Sequence, residues 1–398
     1  MENIFELTND ELKKIADNLR DKINDGLTKD GTEILAIPTY LNEPKGKINN
    51  EKVLVLDWGG TNFRAAVVEF KESRPILLES KKIRLSKKET NGFNTNNLLQ
   101  KMAELISQLK SLDNTVTKIG YCFSYPARSL MNGDAELLRW TKGIDIRDMI
   151  GQPVGQLLLE YLNKHKDIDA TFTSIKVIND TVACLFAGLT ERNKDAYIGL
   201  IVGTGTNMAA MMQLNQIKKL NNKENGAIPV NLESGNFNPP FLTVIDNLVD
   251  AMSINKGSQR FEKAISGGYL GEIFKTVFSL RKIKHDFDAE DISNIINNPK
   301  KYPEDFVTVS NWIYNRSAQL VAASLAGLVL VLKSHNEKTN DIYIAVDGSL
   351  FWSNNYCTQV TEKLKELIPE INIEIAPLIE DPNLIGSAFA AISEFKLN

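Results

Sequence analysis

The chain has 398 residues, of which 43% are hydrophobic and 24% charged, with a net charge of −4. That length can bury a large core and is expected to divide into two domains of a soluble globular protein. The small negative charge gives no electrostatic reason to expect nucleic acid or an acidic membrane surface as partner. Cys122, Cys184 and Cys357, few and far apart, argue against a disulfide framework or structural zinc and for a reducing cytoplasm.

The N-terminal stretch through Ile23 alternates charges with Ile4, Phe5, Leu7, Leu12, Ile15 and Leu19, which predicts an amphipathic helix without a signal peptide's apolar core. Val53 to Phe70 then sets two apolar, strand-like runs around Asp-Trp-Gly-Gly-Thr-Asn, and Tyr197 to Met212 repeats that layout around Gly-Thr-Gly-Thr. Glycine lets backbone N–H groups approach phosphate oxygens with no Cβ in the way, and threonine adds a hydroxyl. Such turns also serve ordinary hairpins, so either one alone is ambiguous, and the pair is what suggests two phosphate-facing hairpins.

Between them the chain reads as mixed α/β: an apolar run at Ile76–Leu78, a helix from Asn96 to Leu109, a strand at Lys118–Phe123, a helix at Gly155–Leu162, a strand at Ser174–Ile178 and a helix at Thr181–Leu189. The domain-sized separation of Gly59 from Gly203 points to a duplicated α/β core with a cleft between its halves. Further on, Asn215 to Gly226 reads as a polar surface connector. Asp286 to Asp305 is polar with Pro299 and Pro303 as breakers, and Ala318 to Leu332 reads as a buried helix, short for a membrane span. Ile342 to Trp352 forms a third strand–turn unit. His165, His285 and His335 stand in polar stretches with no His-Glu-x-x-His or nucleophile-elbow pattern, which excludes the usual zinc hydrolases and Ser-His-Asp enzymes.

Several residues could carry chemistry. Asp57 closes a buried strand at the mouth of the first turn, where a carboxylate either holds a hydrated Mg²⁺ or caps the turn. Arg64, in an otherwise apolar strand, needs an anionic partner, either a phosphate or a carboxylate. Asn179 and Asp180 stand where a strand meets a helix, the place where ligands collect in open α/β sheets. Asp180 is there either a general base for a hydroxyl nucleophile or an N-cap. Glu233 and Glu262 taken alone would pass for solvated charges.

The motifs LDWGGTNFR, FSYP (Phe123–Pro126), WTKG (Trp140–Gly143), IND (Ile178–Asp180), VGTGTN (Val202–Asn207), NLESGNF (Asn231–Phe237) and VDGS (Val346–Ser349) occur in one order over almost the whole chain. The set resembles the eukaryotic-type hexokinase family. The resemblance implies the actin-like ATPase (ribonuclease H-like) fold, with two domains around a hinged cleft. Residues 48–178 plus 383–398 would form the small domain, and 1–47 plus 179–382 the large one. It also implies ATP and Mg²⁺, a hexose substrate, a cytoplasmic setting and a monomer or homodimer. By similarity, Ser124, Thr141, Lys142, Asn179, Asp180, Asn207, Glu233 and Glu262 match sugar-site positions, with Asp180 the base and Lys142 near the transferred phosphoryl. Asp57, Gly59, Gly60, Thr61, Asn62 and Arg64 match the first phosphate motif, with Asp57 holding Mg²⁺ through water. Gly203, Thr204 and Gly205 match the second, and Gly348 with Ser349 the nucleoside end. Ser234 stands where the family usually has Trp, Trp58 where an aliphatic residue is common, and Arg128 where Gln is usual. DPNLIGSAFAAI lacks the family's Gly- and Lys-rich lead into its last helix. A sugar sensor on this fold, or an actin-like ATPase, are the rival readings; intact Asp180 and Lys142 argue against the first, and the sugar-site set against the second.

Overall fold

The computed structural model describes residues 2–44, 46–191, 193–221, 226–279 and 286–394. Helix α1 (Asn9–Thr28) follows a reciprocal cap in which Thr8 and Glu11 satisfy each other's backbone N–H, and it buries Leu12, Ile15, Leu19 and Ile23. The two-residue strand β1 (Ile37–Pro38) precedes the hairpin β2 (Glu51–Trp58) and β3 (Asn62–Lys71). Next come β4 (Arg74–Arg84), α2 (Thr95–Ile106), β5 (Lys118–Phe123), the short pair β6 (Ala127–Ser129) and β7 (Ala135–Leu137), α3 (Val154–Leu162) and β8 (Ser174–Ile178). Helix α4 (Asp180–Ala187) leads to the second hairpin, β9 (Ala196–Val202) and β10 (Thr206–Gln213), and to β11 (Ala227–Asn231). Helices α5 (Val244–Met252), α6 (Arg260–Ile265), α7 (Gly267–Val277), α8 (Ala289–Asn297) and α9 (Glu304–His335) follow. The chain closes with β12 (Asp341–Asp347), α10 (Tyr356–Leu367), β13 (Asn372–Ile375) and α11 (Pro382–Ile392).

The duplication is written in the sheets. One sheet has the order β4-β3-β2-β5-β8, and the other has β11-β10-β9-β12-β13 with β1 added at its edge. In each, the hairpin and the next strand pair antiparallel, whereas the two later strands run parallel to the hairpin's first strand. The first strand of each hairpin therefore ends in a glycine turn on the same side of its own sheet. Helices α4 and α11 pack together between the sheets, in a core shared by Val53, Val55, Phe186, Tyr197 and Phe389. Close approach there depends on small residues: a Cβ on Gly120 of β5 would lie 1.8 Å from the Ser387 carbonyl oxygen, and one on Gly386 would lie 1.9 Å from that of Ala183.

Helix α9 is long and apolar enough to cross a membrane, yet 78% of its most apolar window is buried inside the protein, against α1 and α10. It is the core helix expected, extended at its N-terminus to Glu304. One reading gains an element and one needs correction. The polar stretch 286–305 contains α8, which carries a reciprocal cap between Asp288 and Asp291 and buries Ile292 and Ile295. The connector 215–226 is not wholly superficial, since Gln216 and Ile217 are buried; its residues 222–225 lie outside the described residues. All three cysteines are free. His165 is half-buried beside the Tyr161 ring, while His285 lies outside the described residues.

Candidate active site

The first turn, Gly59 to Thr61, leaves β2 immediately after Asp57 and Trp58. Ser124 donates its backbone N–H to the Trp58 carbonyl at 3.1 Å, and a Cβ on Gly59 would stand 3.0 Å from the Ser124 hydroxyl, so Ser124 sits against the turn. Gly60 is half-buried; Thr61 and Asn62 are exposed. Asp57 is 6% exposed and faces Arg64 across the hairpin, with Nη2 to Oδ2 at 2.7 Å and Nε to Oδ2 at 2.9 Å. Arg64 also pairs with Asp381, which stands at the N-cap position of α11, and Asn383 donates to Asp57 Oδ1 at 3.2 Å. The carboxylate reading of Arg64's partner is thus realised. Burial pushes the Asp57 carboxyl up from its ordinary value, opposed by the Arg64 guanidinium.

Lys142, from the loop after β7, reaches this turn. Its ammonium donates to the carbonyls of Gly59 and, at 3.0 Å, of Ser124, and its backbone is left-handed at φ 57°. Thr141, beside it, is half-buried.

The second turn, Gly203 to Gly205, is held from two sides. Gly267 and Gly268, opening α7, donate to the carbonyls of Gly203 (2.8 Å) and Thr204 (3.0 Å). Gly348 follows β12 at φ 117°, and a Cβ there would fall 2.3 Å from the Val202 carbonyl oxygen. Only glycine meets both demands. Thr204 and Ser349 are exposed at the rim.

Behind that turn runs a chain of amides and carboxylates. Asn207 donates to Asn231 at 2.7 Å, Asn231 donates to Glu233 Oε1 at 2.8 Å, and Glu262 Oε2 accepts the Thr206 N–H at 3.1 Å. Ser234, fully buried where the family has Trp, donates its N–H to Asn207 Oδ1 at 3.0 Å. Neither Glu233 nor Glu262 is the solvated charge of the local reading. Burial raises both carboxyls, helped by mutual repulsion at Glu262 and by Asp180 at Glu233, and opposed by Thr206 and Asn231 respectively.

Asp180 links the two walls. Asn179 caps α4 by accepting the Thr181 N–H at 2.9 Å, and Asp180 Oδ1 accepts the same N–H at 2.8 Å. Its charge is felt at Asp57, Glu233 and Asp347, each of which it makes harder to ionise. Asp57 beside the first turn, Asp347 at the end of β12 and Glu233 of the amide chain are therefore all near enough to Asp180 to feel its charge. Sequence reasoning passed over Asn231, Gly267, Gly268, Asp347, Asp381 and Asn383. The Ser-Gly-Gly before an apolar run, the Asp of VDGS, the Asn that opens NLESGNF and the Asp-Pro-Asn before the last helix were all visible in the sequence, but nothing local told their partners. Of the remaining departures, Trp58 is buried among aromatic rings and Arg128 pairs with Glu136 at 2.7 Å on the surface.

Two duplicated sheets, each with a glycine turn at the end of its hairpin's first strand, define the class: the actin-like ATPase fold. Comparison with known proteins narrows it. Residues 1–190 match one hexokinase family profile, and residues 197–307 and 280–393 match its companion. Hexokinase-2 of Schizosaccharomyces pombe is 29% identical over 99% of this chain and 96% of its own, and hexokinase-1 of Spinacia oleracea is 29% identical over 96% and 87%. A Schistosoma mansoni hexokinase solved in complex with glucose superposes with a TM-score of 0.78 at 23% identity, covering 98% of this chain and 96% of that one. The chain belongs to the hexokinase family and is a sugar-phosphorylating enzyme.

Proposed function

We propose that the enzyme transfers the γ-phosphoryl of ATP to the 6-hydroxyl of glucose or a close hexose relative. The observation that carries this is that Asp180, at the start of α4, acts electrostatically on both Asp57 beside the first glycine turn and Glu233 of the amide chain. Asp180 Oδ2 would orient the 6-hydroxyl and take its proton late, as its oxygen bonds phosphorus and ADP departs; a loose transition state asks little more of a base. Lys142 has two N–H bonds engaged by carbonyls, which leaves one to meet charge developing on the transferred group. The amide and carboxylate groups Asn207, Glu233 and Glu262, with Ser124, Thr141 and Asn179, suit hydroxyls, because buried polar groups left unpaired are costly.

The residues fit Mg²⁺. Among the described residues no group of Cys, His and carboxylate side chains could cage a metal by itself. Mg²⁺ instead keeps several waters and takes one or two carboxylates with substrate phosphates, so Asp57, through water, is a sufficient protein anchor. When bound it offsets phosphate charge; the backbone of Gly59–Gly60, with Thr61 and Asn62, would hold phosphates on one side and Gly203–Gly205 on the other, while Arg64, paired with Asp57 and Asp381, would hold Asp57 in place. Gly348 and Ser349 would take the nucleoside end. Coupled assays with a panel of hexoses against ATP, GTP and pyrophosphate test the assignment; a better rate without ATP or without a hexose removes it.

Glu233→Gln should weaken hexose binding by about 1–2 kcal/mol with ATP binding nearly unchanged, because a charge-assisted hydrogen bond becomes neutral. Burial raises the Glu233 and Glu262 carboxyls, so hexose affinity should begin to fall on acidification above the ordinary carboxylate range. Calorimetry showing equal affinity in parent and mutant, or no acid limb, removes Glu233 from the sugar site.

We place the division between small domain (48–178, 383–398) and large domain (1–47, 179–382) with its hinge near Asn179. Ser124, Thr141 and Lys142 precede that point, whereas Asn207, Glu233 and Glu262 follow it, so a hexose engaging both sets favours closure. Solution scattering should give a smaller radius of gyration with saturating glucose. Superimposable curves with a hexose that is demonstrably phosphorylated sink the hinge.

A further inference from the structure

Tyr125 stands two residues beyond the end of β5 and is 3% exposed, although its neighbourhood is otherwise built for ligands. Its hydroxyl donates to the Gly60 carbonyl at 3.2 Å, so it grips the first phosphate turn from beneath. The Lys142 ammonium lies over the same ring, 5.3 Å from its centre, a cation–π distance. Two tryptophans flank the ring with centroids 5.0 Å away: Trp58, which precedes Gly59 in the turn, and Trp140, which precedes Thr141 and Lys142 in their loop. Trp140 is itself tied down, its indole N–H donating to the Ile146 carbonyl at 2.7 Å.

Each segment that meets at this ring therefore carries something the reaction uses. The turn offers backbone N–H groups, and the loop offers the lysine. Lys142 sits in a left-handed backbone conformation that a non-glycine residue holds only when its surroundings impose it. That conformation belongs to the tight turn Thr141–Ile144, closed by the Ile144 N–H on the Thr141 carbonyl at 3.1 Å with Gly143 also at positive φ, and from it the ammonium reaches the carbonyls of Gly59 and Ser124 and the face of Tyr125. A plain packing residue would need neither the hydroxyl bond nor the ammonium above it. Burial pushes the phenol well above its ordinary range, so the hydroxyl remains a donor at any working pH.

We propose that Tyr125 is a positioning residue that locks the Lys142 loop to the first phosphate turn, so that the lysine and the turn's backbone keep one fixed spacing. This rests on the role assigned to Lys142 above. Tyr125 acts through Lys142 and Gly60 and touches no reacting atom itself.

The test is a double-mutant cycle with Tyr125→Leu, Lys142→Ala and the two combined, with Tyr125→Phe alongside, each followed by steady-state kinetics and thermal melting. Removing a preorganised donor commonly lowers kcat by about 10²-fold, which is the expectation for Lys142→Ala. Tyr125→Leu should lower kcat about tenfold with hexose KM within about twofold, yet add less than about twofold in the Lys142→Ala background, since contacts that act as a unit are non-additive. Tyr125→Phe keeps the ring and loses the grip on Gly60. It should raise the KM for ATP about threefold and lower kcat by less than Tyr125→Leu does, since the ring still holds Lys142 while the turn is released. Fully multiplicative losses in the cycle, with Lys142→Ala impaired, overturn the role of Tyr125 and leave that of Lys142 standing. Wild-type kcat in Lys142→Ala overturns both. If Tyr125→Leu does not fold, Tyr125→Phe decides, and an unchanged KM for ATP overturns the proposal.

Discussion

Replacing Asp180 with Ala is expected to lower kcat by about 10² to 10⁴, the usual contribution of a positioned general base, with hexose affinity reduced only modestly. The fold should survive the change. Asn179, not Asp180, occupies the N-cap of α4, and its side chain keeps the Thr181 N–H at 2.9 Å. Losing the second acceptor leaves that N–H paired, and the Thr181 hydroxyl, which donates to Asp180 Oδ1 at a long 3.3 Å, is the one donor released. Removing one negative charge also relieves the repulsion that Asp180 exerts on Asp57, Glu233 and Asp347, so the melting temperature should not fall. A folded mutant that retains kcat would show that the hydroxyl proton leaves by another route. A mutant that loses hexose binding and kcat in equal measure would make Asp180 a sugar ligand only.

The second large effect concerns stability. Arg316 of α9 makes a two-pronged contact with Asp246 of α5, Nη1 to Oδ2 at 2.7 Å and Nη2 to Oδ1 at 2.8 Å, with both side chains all but inaccessible. The same guanidinium donates to the Ala264 carbonyl at 3.3 Å and lies over the Phe5 ring at 4.6 Å, so it joins α9, α5, α6 and the N-terminal segment. Burial alone would raise the Asp246 carboxyl; Arg316 and Thr243 reverse that and hold it below its ordinary value. Arg316→Met fills much of the space but strands a buried carboxylate, which costs roughly 3–5 kcal/mol. Replacing Asp246 with Leu as well should recover a large part of that loss, since an apolar pair of similar volume often matches a buried ion pair. Because the folded carboxyl is depressed, the wild-type contribution is present above the unfolded value. It is lost only as pH falls through the lower folded one. A denaturation midpoint in Arg316→Met equal to the parent's, or one that worsens in the double mutant, contradicts this account.

Helix α5 matters to the site by the same route. Asp250, one turn beyond Asp246, accepts from Lys263 at 2.7 Å and Arg260 at 2.9 Å, and these flank Glu262 on α6. Loosening α5 should therefore reach the sugar-site carboxylate through its two neighbours, and the hexose KM of Arg316→Met is the place to see it.

The amino-acid sequence by itself determined what short-range chemistry can encode. Alternating apolar runs around glycine turns specify the hairpins β2–β3 and β9–β10. Helical spacing specifies α1 and the buried part of α9, and the ordered motifs specify the hexokinase family. Helix α8 escaped because its apolar content is little more than three isoleucines among polar residues, two of them buried, so its fate depended on the surface available to cover them. The tertiary structure alone decided which charges are buried and with whom. Glu233 and Glu262 look solvated in their own segments and become half-buried acceptors only when β10 and β11 bring Asn231 and Thr206 to them. Arg64 could equally have faced a phosphate until α11 delivered Asp381 and Asn383 from the far end of the chain. Propensity acts over a few residues, whereas the environment of a charge is set by groups that the fold assembles from hundreds of residues away.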